Sequence, residues 1–163
     1  MNGSPSQADT REEILVRLLE ILASLPDLNG AYRNQVDFPN DALPVAYLLD
    51  GSEELAMDVP VPTRKSVLMP PAIFALRPEI YVVLERRDTS ANTTVKGVYA
   101  PIGPAISAYR MLILDAVTGD QTLQALLTTS GQITFLGSQT DMQGGATVWG
   151  RLQMLFELRY VLF

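Results

Sequence analysis

Three carboxylates, Asp50, Glu53 and Glu54, stand within a five-residue stretch around Gly51-Ser52. Oxygen ligands at that density can hold a hard cation, and paired carboxylates can divide acid and base work. The reading adopted here is plainer: a solvated turn after a strand. Ser52 and Ser138 each follow a glycine, but no Gly-x-Ser-x-Gly occurs and the chain has no histidine, so a Ser-His triad is impossible. Arg64-Lys65-Ser66 has the end of a phosphate loop without its glycines. Gly97 to Gly103 has spaced glycines without the following Lys-Ser/Thr. Cysteine is also absent, which removes disulfides, thiolate nucleophiles and Cys/His zinc sites. Asp115, in an apolar helix, and Glu157, in the last strand, read as exposed or ion-paired residues. Trp149 reads as core or interface packing. The Arg86-Arg87 pair reads as strand-end solvation or an interfacial salt bridge, with phosphate contact as the alternative. The sequence therefore predicts no enzyme, no metal and no organic cofactor.

The 163 residues are enough for one core and too few to expect two. With 47% hydrophobic and 18% charged residues the composition is that of a soluble globular protein. The net charge is −6, and Arg64-Lys65 and Arg86-Arg87 are the only basic doublets, so no basic stripe is available to grip nucleic acid. No apolar run approaches the ~20 residues that span a bilayer, and "MNGSPSQADT" lacks the parts of a signal peptide, so no membrane association is expected.

The predicted organisation is a disordered polar lead over 1–9 and a single α+β domain over 10–163. Thr10-Arg11-Glu12-Glu13 has a capping-box pattern, and Ile14, Leu18, Ile21 and Leu25 recur at helical spacing before Pro26. Leu43–Gly51 reads as a buried strand ending in a turn at Asp50-Gly51. Four prolines make 52–71 a long loop or irregular arm. From Ala72 to Arg86 the pattern is again strand, with Pro78 implying an edge, a bulge or a break. Arg86–Pro104 reads as a second long loop. A helix opens near Pro104 and ends at Gly119, and Asp120 caps a short helix through Leu127. Gly131–Gly137 is a strand, Gly144-Gly145 a hinge, and the last strand runs from Ala146. At full extension it spans roughly 60 Å, so a bulge near Gly150 is expected. These elements predict a mainly antiparallel sheet of about four strands, with an N-terminal and a central helix packed against it.

The last strand has one wholly apolar face: Leu152, Met154, Phe156, Leu158, Tyr160 and Leu162. The opposite face turns apolar at Leu155, Val161 and Phe163. A strand with a spare face or edge is a hazard unless something covers it, and an oligomeric ring would shield every copy.

The N-terminal amphipathic helix, "LPVAYLLDGSEE", "LMPPAIFALRPEIYVVLE", "YRMLILDAV" and the ending "ITFLGSQTDM…GGATVWGRLQMLFELRYVLF" together resemble the tail terminator proteins of long-tailed bacteriophages. The similarity runs from about Glu12 to the end, and rests on strand, turn and alternation patterns. The resemblance implies a virion structural protein of the tail or neck, assembled in the host cytoplasm. It implies a homo-oligomer, a hexameric ring, that caps the tail tube and meets the tube protein and the head–tail connector or stopper protein. DNA would only pass through the bore, which suits an acidic chain. The neck and head-completion connectors of the same virions remain the alternative, followed by an uncharacterised enzyme or ligand-binding domain. The expected interface residues are Arg64, Lys65, Arg86, Arg87, Leu155, Val161 and Phe163.

Overall fold

The computed structural model describes residues 9–35, 43–56, 72–87, 102–127, 133–143 and 147–162. Expectations for the polar lead before Asp9, for 57–71, for 88–101 and for the Gly144-Gly145 hinge lie outside these residues, as do Arg64, Lys65 and Phe163.

Helix α1, Thr10–Ala23, starts one residue earlier than the capping-box reading requires. Asp9 is the cap: its carboxylate accepts from the Arg11 N–H at 3.0 Å. A side-chain oxygen acceptor at the start of the helix satisfies an orphan donor, and Thr10 then becomes the first helical residue. The predicted stripe is inside, with Ile14, Leu15, Leu18, Ile21 and Leu22 buried.

Among the described residues the sheet has five strands, in the order β1-β2-β3-β5-β4. These are β1 (Ala31–Arg33), β2 (Val45–Leu55), β3 (Ala72–Arg87), β4 (Ile133–Gln143) and β5 (Thr147–Leu162). Strand β1 lies parallel to β2, and every other pair is antiparallel. The expectation of about four mainly antiparallel strands is therefore corrected to five in a mixed sheet. A three-residue strand is too short to show alternation, so β1 leaves no mark in the sequence.

Pro78 sits inside β3, a central strand. Its nitrogen faces β5, because the Arg77 carbonyl of the same peptide points at Gly51 of β2, and the β3–β5 ladder skips Arg77↔Glu157 and Pro78↔Phe156 there without a change of register. On the other flank β2 bulges: the register steps from Leu49↔Glu79 to Ser52↔Arg77, so Asp50 and Gly51 face a single residue, Pro78. Asp50-Gly51 is thus a bulge within β2 and not the turn that ends it. Gly51 has φ +70°, and a Cβ there would lie 1.8 Å from the Arg77 carbonyl oxygen. A second bulge sits in β4, where Phe135↔Phe156 is followed by Gly137↔Leu155 and Leu136 is the extra residue. The bulge expected near Gly150 is absent: Gly150 pairs regularly with Leu84 and Met142. Strand β5 is held on both sides, and its two outer neighbourhoods absorb the irregularity instead.

Helices α2 (Ile102–Gly119) and α3 (Gln121–Leu126) follow β3. Asp120 caps α3 as predicted, accepting from the Leu123 N–H at 2.6 Å. Arg17 of α1 also donates to Asp120, at 2.6 and 3.0 Å, tying the two helices together. All three helices pack on one face of the sheet. Ile106, Ile113, Val117 and Leu123 join the α1 stripe against Leu76, Ile80, Val82, Leu152, Met154, Phe156 and Leu158. Each such side chain contributes roughly 1.5–3 kcal/mol on burial. The fold is α+β, and among the described residues the other face of the sheet carries no helix.

Candidate assembly surface

The helix-free face carries three zones. Toward β2 it is apolar and closed: Val45, Tyr47 and Val83 are buried, with Tyr32, Leu43 and Tyr81 packed against them. The Tyr32 and Tyr47 rings stack at 5.8 Å. This part of the second face belongs to the protomer's own core.

In the middle, β3 and β5 share a polar network. The Tyr81 hydroxyl donates to Glu79 Oε2 at 2.5 Å, and Gln153 Nε2 donates to the Tyr81 oxygen at 2.8 Å. Burial, followed by the neighbouring Glu79 carboxylate, pushes the Tyr81 phenol up to about 12. Arg151 lies over the Tyr81 ring at 5.6 Å and pairs with Asp141 of β4. The network fixes these side chains against one another across β3, β5 and β4.

Farther along, Glu157 is only 8% exposed. Its oxygens accept from Arg159 at 2.9 Å and from Arg77 at 3.0 Å, and Arg77 also holds Glu54. The Arg159 bond, with that of Arg77, holds the Glu157 carboxyl below its ordinary value. The sequence reading of Glu157 as ion-paired is met. Its main partner across the sheet, 80 residues away in sequence, was not foreseen. The alternation of Arg77, Glu79 and Tyr81 with buried residues was the available signal.

Between these networks lies Leu155, half-buried. Its register partners are Glu79 on one side and Gly137 on the other, and the glycine leaves that flank without a side chain. Val161, opposite Ile73, is also half-buried. Arg86 and Arg87 close β3 opposite Val148 and Thr147. The predicted interface residues of β5 therefore share a face, while Arg86 and Arg87 stand at the opposite end of the sheet from Val161.

The carboxylates first considered for chemistry are drawn apart. The β2 bulge sends Asp50 toward the helix layer, where Arg33 grips both its oxygens at 2.7 and 2.9 Å. That contact holds the Asp50 carboxyl below its usual range. Arg33 also binds Glu12 of α1, and Arg11 lies 3.6 Å from Asp50 and 3.9 Å from Glu53. Glu54 goes to Arg77 instead. Among the described residues no three carboxylates converge as a metal would require. Asp115 is exposed on α2, Ser52 is exposed at the β2 bulge, and Ser138 accepts from Arg110 at 3.2 Å. Trp149 lies in β5, in register with Glu85 and Gln143. Among the described residues no helix is long and apolar enough to cross a membrane.

No protein-family model matches the sequence, and no curated protein matches it. Among solved structures, a chain of the virion of a native gene transfer agent particle is similar, with a TM-score of 0.43 and 15% identity, over 93% of this chain and 92% of that one.

Proposed function

We propose that the chain is a virion structural protein: a tail terminator that closes into a ring, of six copies by the family resemblance, on the finished tail tube. The ring would offer the joining surface for the head–tail connector or stopper protein and let DNA pass through its bore. The observation that carries this reading is the helix-free face of β5. There Leu155 and Val161 stand half-buried beside side chains already fixed by Glu79–Tyr81–Gln153 and Arg77–Glu157–Arg159. Apolar residues in a pre-ordered polar frame suit a protein contact, because little side-chain entropy is lost when a neighbour docks. The carboxylates that might have served catalysis are each engaged by arginine, which supports a structural role over an enzymatic one.

In this reading Leu155 and Val161 meet a neighbouring copy, with Phe163 at the chain's end. Arg86-Arg87 and Arg64-Lys65 serve contacts to the tube or connector. The test is sedimentation and electron microscopy of the protein alone and with tail tubes. The expected result is ring-shaped particles capping tube ends, lost in a Leu155→Lys variant that still folds. A strict monomer under both conditions would overturn the proposal.

A further inference from the structure

The β4 bulge changes what the helix-free face of the sheet presents. Phe135 and Ser138 both lie on the helix side: the Phe135 ring is 5.4 Å from that of buried Phe156, and Ser138 accepts from Arg110 of α2. Regular alternation would put residues three apart on opposite faces. The bulge takes up the difference, so Leu136 and Gly137 both stand on the helix-free face, opposite Leu155. Leu136 is 48% exposed there. A Cβ on Gly137 would meet nothing within 4 Å, so the two leucines flank an open notch. Glu79, the register partner of Leu155 in β3, stands beside them. Its Oε2 accepts from the Tyr81 hydroxyl and the Gln153 amide, and among the described residues no arginine pairs with it.

The helix layer carries the opposite kind of leftover charge. Arg11, Arg17, Arg33, Arg77, Arg151 and Arg159 each pair with a carboxylate. Arg110 is the exception among the arginines whose side chains are described. Its guanidinium lies 5.4 Å over the Phe135 ring, with Nε on Ser138 and Nη1 3.8 Å from Met111 Sδ, which leaves Nη2 unengaged among the described residues. Beside it Met111 and Leu112 are 48% and 40% exposed. The exposed residues of α2 before them, Gly103, Pro104, Ser107 and Ala108, carry no charge. An arginine fixed in place beside exposed apolar side chains has the makeup of a contact anchor.

We infer that α2 of one copy docks on the Leu136–Leu155 patch of the next, with Met111 entering the Gly137 notch and Arg110 pairing with Glu79. The inference rests on the reading that Leu155 meets a neighbouring copy, and it names what Leu155 meets. Charge selects this occupant. Either patch pressed against itself brings like charges together, Glu79 to Glu79 or Arg110 to Arg110, whereas one patch against the other matches them. Val16 and Leu55 are the remaining large apolar side chains exposed among the described residues. Val16 shares its helix face with Glu13 and Glu20, and Leu55 follows Glu53 and Glu54, so docking either would dehydrate carboxylates. The two patches lie on opposite layers of the protomer, so the contact is head-to-tail, the kind from which rings are built. A methionine suits the notch because its unbranched chain adapts to irregular gaps.

The chain has no cysteine, so paired thiols test the contact. Met111→Cys and Leu136→Cys replace exposed side chains, and unchanged melting curves confirm that the variants fold. Under mild oxidation the chain carrying both should form a disulfide-linked ladder, about tenfold faster than either single variant forms dimers. Arg110→Glu added to it should reverse that gain, a change of about 1.4 kcal/mol in association. Charge exchange gives a second measure: Arg110→Glu and Glu79→Arg should each weaken association in sedimentation, and mixing the two should restore it, since each then meets the other's opposite charge. If Glu79→Arg does not fold, the thiol result alone decides. A ladder no faster than the single variants overturns the inference, and so does a Leu136→Cys dimer formed as fast as the ladder, which would mean that the face meets its own copy. Cross-linking of Leu136→Cys to the tube protein, when tail tubes are added, would assign the patch to that protein and also overturn it. Ring formation by the cysteine-free chain is scored separately, by microscopy. Rings that are lost in Leu155→Lys, without the 111–136 cross-link, would refute this contact and leave the proposed function standing; a strict monomer would refute the proposed function itself.

Discussion

Phe156→Ala and Leu155→Lys are adjacent substitutions that should behave in opposite ways. Phe156 is fully buried, its ring 5.4 Å from that of Phe135. The flanking pairs Leu76↔Leu158 and Glu79↔Leu155 set it across from Pro78, a rigid residue on a central strand. Such a site collapses poorly, so the loss should lie well inside the usual range for a buried aromatic, about 4 kcal/mol. For a domain of this size that lowers the melting temperature by about 10 °C. Leu155 faces the other way and is already half-exposed, so at most about half of the ~1.5–3 kcal/mol of a buried leucine is at stake. A lysine there would stand opposite Glu79 and recover a few tenths of a kcal/mol, leaving a net cost of about 1 kcal/mol. Urea unfolding of dilute protein, where copies are apart, measures both, and comparable m-values keep the comparison sound. If Leu155→Lys unfolds the protomer as severely as Phe156→Ala, the second face of β5 is core and its role in assembly falls.

Three further outcomes are expected. Gly51→Ala should cost at least about 2 kcal/mol, because its φ of +70° and the Arg77 carbonyl at 1.8 Å both exclude a Cβ, whereas Gly119→Ala, with nothing within 4 Å, should be nearly neutral; equal melting curves would contradict the bulge. Asp120→Ala should lose both the α3 cap and the Arg17 pair, about 1–2 kcal/mol, while Asp120→Asn keeps a cap and should lose less; an equal loss would mean the cap contributes nothing. Glu12, Asp50, Asp120 and Glu157 all have depressed pKa values in the fold, so their contributions are present above the ordinary carboxylate range and are lost as pH falls through the folded values. Stability against urea should therefore be level near neutrality and decline from about pH 4.5 downward, and Glu157→Gln should flatten that decline; a pH profile unchanged by the substitution would refute the assignment.

What the sequence determined by itself is local. The α1 stripe, the Asp120 cap and the alternation of β5 each follow from spacing within a few residues, because helix and strand impose their periods on side-chain direction regardless of what packs against them. Phe156 and its i±2 neighbours were legible as core for that reason. The rest depends on partners distant in the chain. Nothing near Ala31–Arg33 announces a strand, since three residues gain their pairing only from β2. Pro78 reads from the sequence as an edge, a bulge or a break, and the tertiary structure keeps it in the centre of the sheet, where the β3–β5 ladder skips one hydrogen-bonded step without losing register and β2 bulges at Asp50-Gly51 on the other flank. The same bulge separates Asp50 from Glu54, which sequence proximity had placed together, and delivers them to Arg33 and Arg77. Glu157 meets Arg77 because β3 and β5 are in register, and β4 is left as an open edge because the chain turns back into β5 and no described strand follows on its outer side. Register and strand order are set by the total burial of one face against the helices, a sum over the whole chain that no window of neighbouring residues contains.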